Sequence, residues 1–442
     1  MREIRFTSLV FLLGLVVAGC GERVEPPPPC EIGLVESIDV ERVLDHLRVL
    51  SVDIGPRVAS SPEEREAAEY IAGELERLGY EVEIQSFPRA GISARVEVLE
   101  PEGLRIYPAF GRVEGMSGAD YPLFTPEGGV RGRIVDCGEG ACPAEVEGQI
   151  ALLTPGEASA DERVLAAAEA GAAAAIVHGP TWRRFAASVE APSIPFVTVN
   201  LDTGEAIREA GEVEVALHII WNESSQNVIA TRPLEGVEDA PIVIFTAHYD
   251  SVEQAPGASD NGSGTAGMLE LARVLRDVPV GVELRFAAVG AEEVGLVGSR
   301  YYVRELPDEE RSRIIANFNT DMIGTAGEDQ VQLFVNTLDG DNLVAQSARA
   351  AREQLGYPEE LLRAPYQRGA SDHVPFHDAG IPAANFIWRD PETIALEPWY
   401  HHPYDTFDRV SSERLRTALR IVLGSAVQVI CESPEEGAPS AN

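Results

Sequence analysis

Lysine is absent from the 442-residue sequence, and all 35 basic residues are arginine. This absence excludes Schiff-base chemistry, pyridoxal enzymes and phosphate-loop nucleotide hydrolases, since each depends on a lysine amine. The 72 acidic residues outnumber the arginines, and the formal net charge is −37. Because so acidic a surface repels a phosphate backbone, the sequence predicts no nucleic-acid partner.

The N-terminal apolar stretch at 6–17 is shorter than the roughly 20 residues that a membrane span needs. Two arginines precede this stretch, and small residues lead from it to Cys20. Residues 1–20 resemble a bacterial lipoprotein signal peptide, which implies a diacylated Cys20 as the only membrane contact. Residues 21–35, with four consecutive prolines, are predicted to be a Pro-rich spacer. The resemblance implies export to the outer membrane, the cell surface or the medium.

Cysteines are few, and four of the five lie beyond Cys20. In an exported chain an even number of cysteines permits two disulfides. Cys137 and Cys142 are near enough in sequence to pair locally, and a bridge between Cys30 and Cys431 would join the two ends of the mature chain. The sequence leaves the pairing open. The Cys-x4-Cys spacing without a nearby histidine is a poor zinc site.

Buried strand patterns alternate with helical patterns from residue 227 onward. Residues 243–247 and 284–289 are apolar strand segments, and 264–277 has the spacing of an amphipathic helix. This alternation predicts an α/β fold with a doubly wound, mostly parallel sheet. Short strand patterns separated by glycine and proline fill 90–218, which contains no cluster of acids and bases and is predicted to be a β-rich insertion.

Acids and histidines follow the predicted strands, where ligands of such sheets bind. They are His248, Asp250, Asp260, Glu292, Glu293, Asp321 and, later in the chain, His401, His402 and Asp405. Two histidines and three carboxylates out of this set suit two divalent ions, and the mixture of imidazole and carboxylate favours zinc over magnesium. A carboxylate between two such ions would bind both of them.

Six ordered motifs are similar to those of the M28 family of zinc aminopeptidases. In chain order they are His248-x-Asp250, Asp260-Asn261-x-x-Gly264, Glu292-Glu293-x-Gly-x-x-Gly-Ser299, Asn319-x-Asp321-Met322, Ser371-Asp372-His373-x-x-Phe376 and His401-x-Pro-x-Asp405-Thr406. The insertion resembles a protease-associated (PA) domain in its Gly132-Arg133 start, its Ala170-Gly171-Ala172 stretch and its Ser-Ile-Pro-x-Val segment at 193–197. The PA resemblance implies a lid or a substrate-positioning role.

The M28 resemblance implies a role for each site residue. His248 and Asp321 would hold one zinc ion, and Glu293 and His401 the other. Asp260 would bridge the two ions, and Glu292 would be the general base. Asp250 would orient the His248 ring, and Tyr400 would stabilise the oxyanion. His402, beside the ligand His401, is not expected to bind metal.

The implied activity is removal of N-terminal residues from peptides that have a free N-terminus. The resemblance also implies a division into peptidase parts at 36–92 and 223–432, a PA domain at 93–222 and a flexible tail at 433–442. Some M28 members have an arginine directly before the Ser-Asp pair, where this chain has Ala370, and Arg368 lies two residues earlier. Whether Arg368 replaces that arginine stays open.

Three other functions are open at this point. A glutaminyl cyclase on the same fold would share the His248-to-Ser251 segment. A carboxypeptidase of the family would need cations for the substrate carboxylate. A non-catalytic binding domain would have lost metal ligands, whereas this sequence retains all five together with Glu292.

Overall fold

The computed structural model describes residues 29–431. The signal peptide, Cys20, most of the spacer and the C-terminal tail predicted above therefore lie outside the described residues. Two helices open the fold, α1 (Val40–Arg48) and α2 (Pro62–Arg77). The side chain of Ser61 accepts the N–H of Glu64 and so caps α2, as the serine-proline start of this helix indicates.

The inserted module follows the long strand β1 (Glu81–Glu100). Its strands and helices are β2 (Ala109–Phe110), β3 (Arg112–Val113), β4 (Val130–Asp136), β5 (Ile150–Leu153), α3 (Ala160–Glu169), β6 (Ala174–His178), β7 (Ser188–Val189), β8 (Phe196–Val199) and α4 (Leu201–Ala210). Strands β5, β6 and β8 pair in parallel and are buried throughout. The module has its own apolar core, separate from the core of the α/β part.

The chain returns to the α/β part through β9 (Glu214–Arg232). The remaining elements are β10 (Ile242–His248), α5 (Gly264–Leu275), β11 (Glu283–Val289), α6 (Val297–Glu305), α7 (Asp308–Arg313), β12 (Ile314–Thr320), β13 (Gln332–Thr337), α8 (Leu343–Gln354), β14 (Leu362–Gln367), α9 (His373–Asp378), β15 (Ala383–Arg389) and α10 (Ser412–Ile430). The alternation of strands and helices agrees with the predicted α/β class.

The sheet of the α/β part has the order β14-β13-β15-β12-β10-β11-β9. Neighbouring strands are parallel except at the β13–β15 and β11–β9 pairs, so the sheet is mostly parallel as predicted. Strands β1 and β9 pair along nearly their whole length and continue from the inserted module into this sheet. The predicted domain boundaries near 92 and 222 therefore lie inside two continuous strands.

Two disulfides are formed, Cys30–Cys431 and Cys137–Cys142. Both pairings are ones that the sequence permits, although the sequence alone leaves the pairing open. The first joins the beginning and the end of the described chain, and the second closes a turn in the inserted module. Within residues 29–431, no helix combines the length and the apolar character that a bilayer crossing requires.

Candidate metal centre

Three neighbouring parallel strands bring the predicted site residues to one edge of the sheet. His248 is the last residue of β10, Asp321 directly follows β12, and Glu292 and Glu293 come shortly after β11. Because β11, β10 and β12 lie side by side and run parallel, their carboxyl ends meet at the same edge. The loop before α5 adds Asp260 there, and the loop before α10 adds His401.

The first cluster of possible metal ligands consists of His248, Asp260 and Asp321. His248 Nε2 lies 3.3 Å from Asp260 Oδ1 and 3.5 Å from Asp321 Oδ1. All three side chains are buried. One ligand atom from each residue lies within 4.8 Å of the others, so a single ion could contact all three.

The second cluster consists of Asp260, Glu293 and His401. His401 Nε2 lies 3.2 Å from Asp260 Oδ2 and 2.8 Å from Glu293 Oε2. Asp260 therefore gives one carboxylate oxygen to each cluster. This is the arrangement that a carboxylate between two ions requires.

The chemistry of the donor set fits divalent cations. Glu293 Oε1 and Asp321 Oδ1 are buried and have no hydrogen-bond partner in the structure. Buried polar atoms are otherwise almost always paired, so unsatisfied donors and acceptors indicate a missing partner. Burial lowers the pKa of His401, but hydrogen bonds to Asp260 and Glu293 outweigh it and raise that pKa to about 10. The clusters thus concentrate negative charge that cations would neutralise.

Asp250 contacts one residue of each cluster, His248 and Glu293. Its carboxylate lies 3.5 Å from His248 Nδ1 and accepts the backbone N–H groups of Glu292 at 3.0 Å and Glu293 at 3.2 Å. It is completely buried. One side chain therefore sets both the orientation of the His248 ring and the path of the loop that carries the two glutamates.

Glu292 and Tyr400 stand beside the clusters and belong to neither. Burial raises the pKa of Glu292 well above its usual value, although the charge of His248 opposes the rise. Burial likewise raises the pKa of Tyr400, and nearby carboxylates add to the effect, so its hydroxyl keeps its proton. The Tyr400 ring stacks on His401 with 3.9 Å between centroids.

His402 lies next to His401 in sequence but is outside both clusters. Its Nδ1 accepts the backbone N–H of Tyr404 at 3.2 Å. Its ring packs against Trp182 of the inserted module, with centroids 4.1 Å apart. Both clusters are therefore complete without His402.

Several residues that hold the loops in place received no role from sequence reasoning. The carboxylate of Asp405 accepts the N–H groups of Ser259 at 2.7 Å and Asp260 at 3.0 Å. Asn261 donates to the carbonyl of Thr320 and accepts the N–H of Met322, which joins the Asp260 loop to the Asp321 loop. Asn261 and Asp405 stand inside the quoted motifs, so their position in a motif was the available signal.

Arg57 is a second feature that sequence reasoning missed. Its guanidinium is fully buried and donates to the backbone carbonyls of Leu50, Gly55, Tyr249, Pro256 and Gly257. The last three lie in the chain between His248 and Asp260. The local sequence around Arg57 does not predict these last three contacts, because their carbonyls lie nearly 200 positions away.

The position before the Ser-Asp pair is Ala370, and Arg368 contributes its backbone carbonyl to His373 Nε2 at 3.0 Å. The structure adds a second arginine near Arg368. Burial first, and then the charge of Arg368, lower the pKa of Arg389 to about 10. Arg389 is the last residue of β15. The negative charge of Asp321 acts in the opposite direction and raises the pKa of Arg389.

Comparison with known families identifies the family to which this chain belongs. Residues 227–426 match the model of peptidase family M28, and residues 121–207 match the model of the PA domain. The chain is 40% identical over 392 residues to aminopeptidase YwaD of Bacillus subtilis, covering 86% of this chain and 83% of that protein. The chain belongs to peptidase family M28 and carries a PA domain.

Two further relatives are informative. A solved structure of BSAP, a zinc aminopeptidase from Bacillus subtilis, aligns with a TM-score of 0.62 and 37% identity over 90% of this chain and 97% of that one. The probable lipoprotein aminopeptidase LpqL of Mycobacterium tuberculosis is 28% identical over 438 residues, which is 88% of this chain and 84% of that protein. The fold predicted from the motifs is thereby confirmed.

Proposed function

We propose that the chain is a zinc-dependent aminopeptidase that removes N-terminal residues from peptides. The observation that carries the proposal is the pair of ligand clusters that share Asp260. Each cluster has one imidazole and two carboxylates, which is a donor set that zinc accepts. The names of the relatives, an aminopeptidase and a zinc aminopeptidase, support the same activity.

The clusters would hold two zinc ions in each chain. His248 and Asp321 would bind one ion, Glu293 and His401 the other, and Asp260 both. When bound, zinc lowers the pKa of water and polarises the substrate carbonyl. We assign Asp250 the task of fixing the His248 ring from its unliganded side.

Glu292 would act as the general base and then as the general acid. Its carboxylate would accept the proton of the attacking water and later deliver a proton to the leaving amine. Burial raises its pKa, and a raised pKa makes a carboxylate a better proton acceptor. The Tyr400 hydroxyl would donate a hydrogen bond to the oxyanion, since it keeps its proton.

The acidic residues around the site would attract the free α-ammonium of the substrate. Glu292 belongs to neither cluster, so its carboxylate would remain free of metal at the sheet edge where the peptide would bind. Electrostatic attraction of this kind favours a protonated N-terminus over an acetylated one. We therefore assign peptides with a free N-terminus as the substrates.

The chain is also proposed to be exported and anchored through a lipidated Cys20. Two disulfides support an oxidising compartment. The name of the relative LpqL, a probable lipoprotein aminopeptidase, supports the same location. Replacing Cys20 with serine should release the protein from the membrane fraction.

We retain the proposed division into peptidase parts at 36–92 and 223–432 around a PA domain at 93–222, with a signal peptide, a spacer and a tail outside them.

The activity is tested with peptides that have free or acetylated N-termini, some of which begin with glutamine. Mass spectrometry follows the products with and without a zinc chelator. Stepwise loss from free N-termini, abolished by the chelator and restored by zinc, is the expected result. Ammonia loss from N-terminal glutamine would indicate a cyclase, and loss from the other end a carboxypeptidase. No product from the zinc-loaded protein would contradict hydrolysis.

A further inference from the structure

We propose that residues 181–185 of the inserted module form a subsite for the part of the peptide that follows the scissile bond. We infer that this subsite selects peptides with carboxylates at those positions. The inference rests on the proposed aminopeptidase function and adds a substrate preference to it.

Trp182 brings the segment into contact with the loop that carries His401. The Trp182 ring lies 4.1 Å from the His402 ring and stacks on Tyr404 at 5.6 Å with planes 10° apart. His402 is the neighbour of His401, a member of the second cluster. The inserted module thus places an aromatic face directly beside the loop that carries a metal-ligand candidate.

The segment is held in place from both modules. Buried Gln254 accepts the N–H of Phe185 and donates to the carbonyls of Phe185 and Thr198, each at 2.8 Å. Asn200 Nδ2 donates to the carbonyl of Trp182 at 2.9 Å. Gln254 lies four residues after Asp250, so the loop that begins at the metal centre also anchors the segment. A subsite fixed in advance loses less entropy when a ligand binds.

The face that the segment presents is aromatic and cationic. Trp182 is 40% exposed although it packs on two rings. The Arg183 guanidinium lies 5.0 Å from the Trp182 ring centroid, and Arg183 and Arg184 are both exposed. Among residues 29–431, neither arginine forms an ion pair. The two adjacent side chains therefore present two positive charges on a chain of net charge −37. Arginine binds carboxylates in a planar, two-point geometry.

The position of the subsite follows from the geometry of an aminopeptidase substrate. Only one residue precedes the scissile bond, and all other residues follow it. An extended peptide advances about 3.4 Å per residue. We place the second or third residue after the bond at this surface, because Trp182 packs on the ring of His402, the residue next to His401. The ammonium end would meet the carboxylates of the metal centre, and downstream carboxylates would meet Arg183 and Arg184.

The test uses the full zinc-loaded enzyme and two tetrapeptides, Leu-Ala-Glu-Glu and Leu-Ala-Gln-Gln, with amidated C-termini. Each kcat/KM is divided by that for leucine p-nitroanilide, which has no peptide after the scissile bond. For the natural chain, we expect the acidic peptide to be preferred. In R183A/R184A we expect the ratio of acidic to neutral peptide to fall about three- to tenfold, the range for a partly exposed charge contact. Arg131→Ala, an exposed arginine on β4 of the same module, is the matched control and should leave that ratio as it is.

A second variant separates loss of charge from loss of fold. R183E/R184E should reverse the preference and favour Leu-Ala-Arg-Arg, which a misfolded module cannot do. An unchanged acidic-to-neutral ratio in both double variants would overturn the subsite. Absence of N-terminal release from every peptide with a free N-terminus by the natural chain would instead overturn the aminopeptidase function, so the two failures are distinguishable.

Discussion

The carboxylate of Asp405 accepts the backbone N–H of Asp260 at 3.0 Å, and both residues are buried. The contact fixes the main chain at the residue that gives an oxygen to each ligand cluster. Burial raises the pKa of Asp405 to about 7, while its hydrogen bonds to Ser259 and Asp260 act in the opposite direction. Asp405 therefore positions the backbone at Asp260, and with it the Asp260 carboxylate.

We expect Asp405→Asn to weaken zinc binding and reduce activity about ten- to a hundredfold, the usual cost of disturbing a group that orients a ligand. An asparagine has one acceptor oxygen and would turn its amide hydrogens toward one of the two N–H donors. Competition with a chromophoric chelator measures the affinity. Asp408→Asn, an exposed aspartate three residues later, is the control. Equal zinc affinity in both variants would show that Asp405 has no such role.

Strand ends and motif spacing predicted the convergence of the ligand candidates because parallel strands deliver their carboxyl ends to one edge. All five candidates lie in the two clusters, and Asp260 belongs to both. Their assigned roles stay predictions, since geometry alone does not measure them. The same reasoning could not find Arg57 or Trp182, because their partners are distant in sequence and only the folded chain brings them together.

The helix α5 shows a second limit of local patterns. Its spacing predicted an amphipathic helix with an exposed face, but eleven of its twelve residues are buried. Helices α1, α2 and α10 pack on it. Buried Glu270 accepts the N–H of Asp39 and pairs with Arg273, so its charge is satisfied inside the fold. A polar residue in a helix therefore does not identify an exposed face when a long-range partner exists.

The adjacent histidines give a prediction about metal content. His401→Ala should lose one zinc ion per chain, because His401 is the only imidazole in the second cluster. His402→Ala should retain both ions, since its ring contacts Trp182 and lies outside the clusters. Elemental analysis of the dialysed proteins gives the zinc count. Loss of zinc from His402→Ala with full content in His401→Ala would reverse the assignment.

Glu292 and Glu293 should respond differently to the same change. Glu292→Gln removes the proposed proton carrier, so kcat should fall about 10²- to 10⁴-fold while zinc stays bound. Glu293→Gln removes a ligand oxygen and should lower the zinc content as well. Steady-state kinetics and zinc analysis on the same preparations separate the two effects. A Glu292→Gln variant that retains normal kcat would exclude this residue as the base.

The two disulfides should contribute unequally to stability. Cys30–Cys431 closes a loop with a sequence separation of 401, and Cys137–Cys142 one of 5. Because the longer loop restricts the unfolded chain more, its removal should cost about 2–4 kcal/mol and the shorter one less. Calorimetry of the two double serine variants measures the shift in Tm. A larger shift for the short bridge would argue that strain or local packing, rather than loop entropy, determines its contribution.

Buried His373 should make the fold sensitive to acid. Burial lowers its pKa from 6.5 to about 4, and its Nε2 contacts the carbonyl of Arg368. The unfolded chain then takes up a proton that the folded chain does not, so stability is complete above pH 6.5 and declines as the pH falls toward 4. The loss reaches about 3 kcal/mol at the lower end.

His373→Gln should flatten this decline, because glutamine can donate to the same carbonyl without titrating. Denaturant unfolding at pH 7 and pH 4.5, with chelator in every sample, measures the difference and removes the pH dependence of zinc binding. His377→Gln on the same helix α9 is the control, since the His377 side chain is 30% exposed. If His373→Gln and His377→Gln lose equal stability between the two pH values, proton uptake by His373 does not drive the acid sensitivity.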